Sequence, residues 1–187
     1  EAIGSVAAWA DGELLNELSL EPTQRSAQSL APGLRALLDR VGWRPADIDL
    51  VAAVVGPGSF TGLRVGVTTA KTLAYCAGAE VLGVDALETI AAASPDDVRE
   101  IAVAVDAQRG ELVAGRFRRG NNGWFHPDGA AGLIPADQWM ATLRPGQAVS
   151  GPILRKLADR LPPGVRVLPP SCWRPTAANV ARAAAHH

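Results

Sequence analysis

The spacing of apolar positions along this chain changes several times, and each change marks an element. Residues 3–10 and Glu13 to Ser19 read as two strands around Ala10-Asp11-Gly12, because Asp-Gly between two apolar runs predicts a hairpin. Leu30, Leu34, Leu37, Leu38 and Val41 recur at helical spacing, which predicts a helix capped at Ser26 or Ser29 and running to about Val41. Gly42 closes it and Pro45 follows, the usual order past a helix end. Leu50 to Val55 is apolar throughout, the pattern of a strand buried on both faces. A helix over about 61–77, a strand at Val81–Val84 and a short helix at Ala86–Ala93 capped by Asp85 complete the first half.

Ser94-Pro95-Asp96-Asp97 reads as a boundary, giving a first lobe over residues 1–94 and a smaller one over 95–187. In the second lobe, Ile101–Val105 is a buried strand, and Glu111–Arg118 pairs with it or with Gly123–His126 across Arg119-Gly120-Asn121-Asn122. Pro135–Thr142 and Ile153–Leu161 suggest helices; Gln147–Ser150 and Val165–Leu168 suggest strands. Pro169 to Pro175 is extended loop, and an Ala-rich helix closes the chain at about 176–185. Alternating strands and helices make this an α/β protein. The opening residues run straight into a strand, so a further strand before Glu1 is expected.

Between the Leu50–Val55 strand and the helix after it lies Gly56-Pro57-Gly58-Ser59-Phe60-Thr61-Gly62-Leu63-Arg64. Glycine permits backbone conformations and close approaches that a Cβ blocks, and Pro57 fixes its own φ. Strand, glycine turn and helix can aim backbone N–H groups at an anion or a neighbouring chain; the same plan makes a tight structural turn. It is not a P-loop, since Lys71 lies well inside the helix. Glycines at 56, 58 and 62 miss the dinucleotide-binding spacing by one. Ser59 is not in a nucleophile elbow, because neither Pro57 nor Thr61 is glycine. Gly62, Gly66 and Ala70 are four apart and share one helix face. Glycine within a helix costs about 1 kcal/mol relative to alanine, so Gly66 requires a packing reason, either within its own domain or against a partner helix.

Composition narrows the field. The chain has 187 residues, 48% hydrophobic and 20% charged, with a formal net charge of −1. That balance fits a globular protein and argues against a free-standing nucleic-acid binder, though not against a subunit that meets RNA within a larger complex. Two cysteines, Cys76 and Cys172, are too few for a disulfide framework, which predicts a reduced, cytoplasmic protein. No apolar run reaches the roughly 18 residues of a membrane span. His126, His186, His187 and the two cysteines show no metal-ligand spacing. Asp85 and Asp106 follow apolar strands, where acids often line clefts; a helix cap and a turn are the alternative roles. Arg116, Arg118 and Arg119 form a basic cluster that either touches RNA phosphates or is a solvated face. Trp9, Trp43, Trp124, Trp139 and Trp173 are dispersed, as core anchors would be.

Val54 to Gly66, continuing through Ala70-Lys71-Thr72-Leu73-Ala74, resembles the TsaB (YeaZ) family, subunits of the bacterial machinery that makes threonylcarbamoyladenosine (t6A) in tRNA. Asp11 to Leu15, Gln28 to Pro32, Leu82 to Glu88 and Pro175 to Ala184 resemble other segments of that family. Asp106-Ala107-Gln108-Arg109-Gly110-Glu111-Leu112 resembles its Asp-Ala-Arg-Arg-Gly-Glu-Val/Ile motif. The resemblance is specific over residues 50–112 and weak over 113–170.

The resemblance implies an actin/Hsp70-like (ASKHA, RNase H-like) fold with two lobes of mixed sheets flanked by helices. It implies a non-catalytic subunit that pairs with TsaD, its catalytic paralogue, in threonylcarbamoyl transfer to adenosine 37 of tRNA. Pairing in that family uses the helices flanking the glycine motif, here about 29–41 and 61–77. The implied partner-binding residues are Leu34, Leu38, Gly56, Gly58, Ser59, Phe60, Thr61, Gly62, Arg64, Gly66 and Ala70. ATP and a metal ion are expected on the TsaD partner and none on this chain. A TsaE-like ATPase is a further expected partner, tRNA is met only through the complex, and a homodimer through the same helices is an open alternative when the chain is alone. The catalytic paralogue binds metal through a His-x-x-x-His helix; here Arg25, Ser26 and Ser29 stand at the equivalent helix. The inherited glycoprotease label finds no protease constellation. The alternative reading is a stand-alone ASKHA-fold ATP-dependent transferase or hydrolase.

Overall fold

The computed structural model describes residues 4–20 and 26–186. Ile3 at the head of the predicted first strand, Arg25, the side chain of Ser26 and His187 lie outside the described residues. The chain divides into two compact units, one comprising residues 1–85 with 176–187 and the other residues 86–175.

In the first unit, β1 (Ser5–Ala10) and β2 (Glu13–Ser19) form the predicted antiparallel hairpin. Its turn carries φ 52° at Asp11 and 82° at Gly12, the two left-handed residues that a two-residue hairpin turn demands. Helix α1 (Ser26–Val41) packs on both strands. Leu37 joins Val6, Ala8 and Leu20 in a buried cluster, with Leu30, Leu34 and Val41 packed against it. Strand β3 (Leu50–Gly56), helix α2 (Phe60–Ala77) and strand β4 (Glu80–Asp85) form a β-α-β unit with β3 and β4 parallel. The closing helix α6 (Ala177–Ala184) packs against all four of these strands. Thr176 caps it by accepting from the Asn179 N–H at 3.2 Å. The N–H groups of Ala177 and Ala178 donate to Ser5 Oγ and Glu17 Oε1, which fastens the same end to the hairpin.

Two expectations change here. The closing helix belongs to the first unit, because its buried Val180, Ala183 and Ala184 find their apolar partners on β1 to β4. Strand β3 is not buried on both faces: Leu50 is 42% and Val55 54% exposed. Among the described residues β3 pairs with β4 alone, and a two-stranded ribbon cannot cover both faces of its members.

The second unit holds a larger sheet of β5 (Glu100–Gln108), β6 (Glu111–Arg119), β7 (Phe125–Pro127), β8 (Gly132–Pro135), β9 (Ala148–Ser150) and β10 (Arg166–Val167). The strand order is β10-β9-β5-β6-β7, with β8 also on β6. Strand β5 alternates strictly. Ile101, Val103 and Val105 enter one buried cluster; Ala102 and Ala104 enter another. This is the period-two signature of a strand covered on both faces. Helix α3 (Ala86–Ala92) supplies Leu87, Ile90 and Ala91 to the first cluster. Helices α4 (Ala136–Ala141) and α5 (Leu154–Leu157) supply Trp139, Met140, Leu154 and Leu157 to the second. The unit boundary therefore falls before α3, at Asp85, and not at Ser94–Pro95, since every residue of α3 is buried in this unit. Close packing continues at Gly151, with φ +128°, where a Cβ would collide with the Ala104 carbonyl.

Arg119 ties this unit together. Its side chain is only 6% exposed, and it donates to the carbonyls of Val98, Gly123, Ser94 and Pro95 at 2.8–3.1 Å. The guanidinium lies 4.4 Å from the Phe125 ring centroid. Arg119→Ala should destabilise the protein by about 3 kcal/mol, because the carbonyls lose a charged donor and a stacked cation is removed. Urea unfolding measures this; an unchanged midpoint would refute the role.

Candidate functional site

Strand β3 reaches α2 through Gly56, whose φ of +134° is a conformation essentially confined to glycine. Ser59 then caps α2: its carbonyl accepts from the Leu63 N–H at 2.8 Å, and its Oγ from the Gly62 N–H at 3.4 Å. The Leu63 side chain lies under the turn, within van der Waals reach of Gly56 and Gly58. The glycine motif therefore works as a tight turn that fixes where α2 begins.

Helix α2 has an inverted distribution of size. Its buried residues are Ala70 and Ala74. Its outer row is Phe60, Arg64, Thr68, Lys71, Thr72 and Tyr75, all exposed. Phe60 is 73% and Tyr75 89% exposed, and the Arg64 guanidinium stacks over the Phe60 ring at 5.3 Å. Small residues inside let the helix lie close to its own unit; the large side chains are left in water. Exposed aromatics at both ends of one helix row are the composition of an interaction face.

The eleven residues expected at a partner surface separate accordingly. Gly58, Ser59, Phe60, Thr61 and Arg64 are exposed, and Gly56, Gly62 and Gly66 are half-buried. Ala70 is buried, so the row Gly62-Gly66-Ala70 winds from the surface into the unit and does not form a single free face. Leu38 is buried and Leu34 packs against the hairpin cluster. Neither is free for a partner in this structure: Leu34 lies on the hairpin cluster and Leu38 is 8% exposed. A Cβ on Gly66 would meet nothing within 4 Å, so packing inside the unit does not account for this glycine. Tyr75 was missed in the sequence. An aromatic in a helical apolar pattern reads as core, and only its angular position opposite Ala70 and Ala74 marks it as outward.

The hairpin joining β5 to β6 is a second local feature. Gln108, Arg109 and Gly110 all have positive φ, at 70°, 54° and 81°. The adjacent cavity, of about 460 Å³, is lined by Asp106, Arg109, Glu111, Lys156 and Arg160 among others. Asp106 is fully engaged: Oδ2 accepts from Lys156 Nζ at 2.7 Å and Oδ1 from the Gln108 N–H at 2.8 Å. The Lys156 hydrogen bond, followed by that from Gln108, holds the carboxyl below the ordinary aspartate range. An ionised, ammonium-paired carboxylate is a poor proton donor near neutrality. Among the described residues no three His, Cys, Asp or Glu side chains gather as a metal site. Cys76 is exposed, Cys172 is buried and both are free. No helix among the described residues is long and apolar enough to cross a membrane.

Residues 20–133 match the protein-family model described as "TsaD: tRNA N6-adenosine threonylcarbamoyltransferase". A curated relative, the "tRNA threonylcarbamoyladenosine biosynthesis protein TsaB" of Escherichia coli, is 29% identical over 90% of this chain and 80% of its own length. The protein of the same description from Bacillus subtilis is 37% identical over 48% of this chain and 39% of its own. Among solved structures, "YeaZ from Pseudomonas aeruginosa" superposes with a TM-score of 0.83 over 97% of this chain and 85% of that one, at 24% identity. Together with the family-model match, that likeness gives the fold class as actin/Hsp70-like (ASKHA) α/β, with mixed sheets flanked by helices.

The Asp106–Lys156 pair has a defined pH signature. The folded pKa of Asp106 is depressed, so the pair's contribution to stability is complete above the unfolded value of roughly 4. It is lost as pH falls through the lower folded value. Lys156→Met should move the Asp106 titration upward, toward that unfolded value, as read by carboxyl-carbon NMR. A titration that stays in place would show that the lysine is not the cause.

Proposed function

Because this chain belongs to the TsaD domain family and, within it, to the TsaB (YeaZ) family, we propose that it acts in t6A biosynthesis as the scaffold subunit paired with a TsaD-like paralogue. The paralogue carries the chemistry, together with ATP and the metal ion. It transfers the threonylcarbamoyl group to adenosine 37 of tRNA, while this chain completes the assembly in the cytoplasm. A TsaE-like ATPase joins the same assembly. A stand-alone, ATP-dependent ASKHA enzyme is the competing function, and no observation on this chain favours it: Asp106, the acid such an enzyme would use to position a metal, is already engaged by Lys156.

The observation that carries the proposal is the outer row of α2. Phe60 and Tyr75 stand largely in water at its two ends, so a partner segment laid along this row would cover both. Burying two aromatics in a partner's grooves recovers apolar area that the isolated chain leaves wet. Aromatic side chains of this kind commonly dominate association energy.

Phe60→Ala combined with Tyr75→Ala should weaken association with the TsaD-like paralogue by about 30- to 1,000-fold, at about 1–2 kcal/mol for each aromatic, with the circular dichroism spectrum unchanged. Gly66→Leu, by adding bulk to the small-residue face of α2, should abolish pairing and leave the fold largely intact, since a Cβ at that position meets nothing within 4 Å. Titration calorimetry against the purified paralogue, with t6A formation as the second readout, tests both. Undiminished association of either variant would overturn the interface. Light scattering of the chain alone, with Phe60→Ala/Tyr75→Ala as the control, reveals whether the same face pairs two copies.

A further inference from the structure

The second unit carries a feature that α2 docking leaves unused. At the end of the sheet where β5, β9 and β10 begin and β6 finishes, a groove of about 700 Å³ opens. Five arginines come to it from four places. Arg99 precedes β5, Arg116 and Arg118 project from the same side of β6, Arg144 lies between α4 and β9, and Arg166 begins β10. Three carboxylates answer them. Arg118 bridges Glu100 at 3.2 Å and Asp128 at 3.3 Å, while Arg166 is held by Asp97 at 2.7 and 3.3 Å. No ion pair forms on the guanidinium groups of Arg99, Arg116 or Arg144 among the described residues, and all three are exposed. A chain with a formal net charge of −1 thus concentrates an excess of two positive charges in one groove.

We infer that this groove binds the phosphodiester backbone of RNA, which, on the function proposed above, is the tRNA delivered to the assembly. Three points favour a polyanion. The unpaired guanidiniums come from separate segments, so they line the groove and do not converge on one small anion. Guanidinium groups bind phosphate oxygens through paired N–H donors. The groove lining holds no aromatic side chain, so it lacks the stacking platforms that read unpaired bases. Recognition is therefore by backbone charge, independent of sequence. Arg119, the third member of the basic cluster in the sequence, is excluded: its guanidinium is committed to the carbonyls of Ser94, Pro95, Val98 and Gly123.

The test is the triple variant Arg99→Ala/Arg116→Ala/Arg144→Ala, which removes only arginines without ion pairs and so should keep its unfolding midpoint. Fluorescence anisotropy with a transcribed tRNA bearing adenosine 37 is measured over a salt series, for the full chain alone and for its complex with the TsaD-like paralogue. The expected result is at least a tenfold loss of tRNA affinity and a salt dependence shallower by about two to three ion equivalents. Association with the paralogue should be undiminished. Unchanged affinity and salt slope in both forms would overturn the inference, as would displacement of tRNA from the wild-type groove by millimolar inorganic phosphate or ADP, which would mark a small-anion site. Failure of the chain to bind the paralogue at all would count against the proposed function; the tRNA measurement on the chain alone would still decide the groove.

Discussion

The backbone conformation at Gly56 is the constraint on which the candidate interaction face depends. A φ of +134° is closed to side-chain-bearing residues except under strain, so this turn specifies glycine. By ending β3 and starting α2 within four residues, it fixes both the origin of the helix and its rotation about its own axis. That rotation decides which side chains meet the first unit and which meet water. Had α2 been rotated by half a turn, Phe60 and Tyr75 would fill its core and the alanines would face out. The observed arrangement spends large apolar side chains on the surface, which a chain selected for its own stability alone has no reason to do.

The inner face of α2 shows how this remains compatible with folding. Ala70 and Ala74 bury little area, but they allow a close approach to β3, β4 and α1. The first unit then draws stability from elsewhere. Leu37 and its neighbours seal α1 on the hairpin, and α6 returns from the end of the chain to cover all four strands. The second unit differs. Its sheet is covered on both faces, with β5 feeding two separate clusters, and it presents charge at the sheet's end where the first unit presents apolar surface.

Much of the fold was legible because local periodicity and turn chemistry act over short distances. The Asp11-Gly12 hairpin, α1, the β3-α2-β4 unit and the alternating β5 followed from spacing alone. What escaped depended on long-range placement. A continuous apolar run such as Leu50–Val55 says that a strand is apolar, not how many neighbours it has. The helical stripe of Leu34 and Leu38 is the same whether a hairpin or a partner covers it. Strand β8 is four residues framed by Gly132 and Pro135, too short for any period to register, and only its pairing with β6 defines it. Arg116, Arg118 and Arg119 form one cluster in the sequence, with 116 and 118 on one strand face by period two. The strand's alternation turned two outward, while the carbonyls of the 94–98 loop and the Gly123 turn captured the third.

The two proposed contacts rest on opposite physics, and that separates them experimentally and biologically. An interface of exposed aromatics gains from burial of apolar area, which added salt leaves intact or strengthens. A phosphate-binding groove gains from release of counterions, and its affinity falls steeply as salt rises. A subunit built this way can hold its protein partner persistently while exchanging its RNA. Tight, salt-tolerant pairing would keep the assembly together between turnovers, and a charge-only groove, with no base-specific contact to slow release, would let each tRNA leave once modified. The near-neutral composition is consistent with that division: the groove's positive excess is offset elsewhere on the chain.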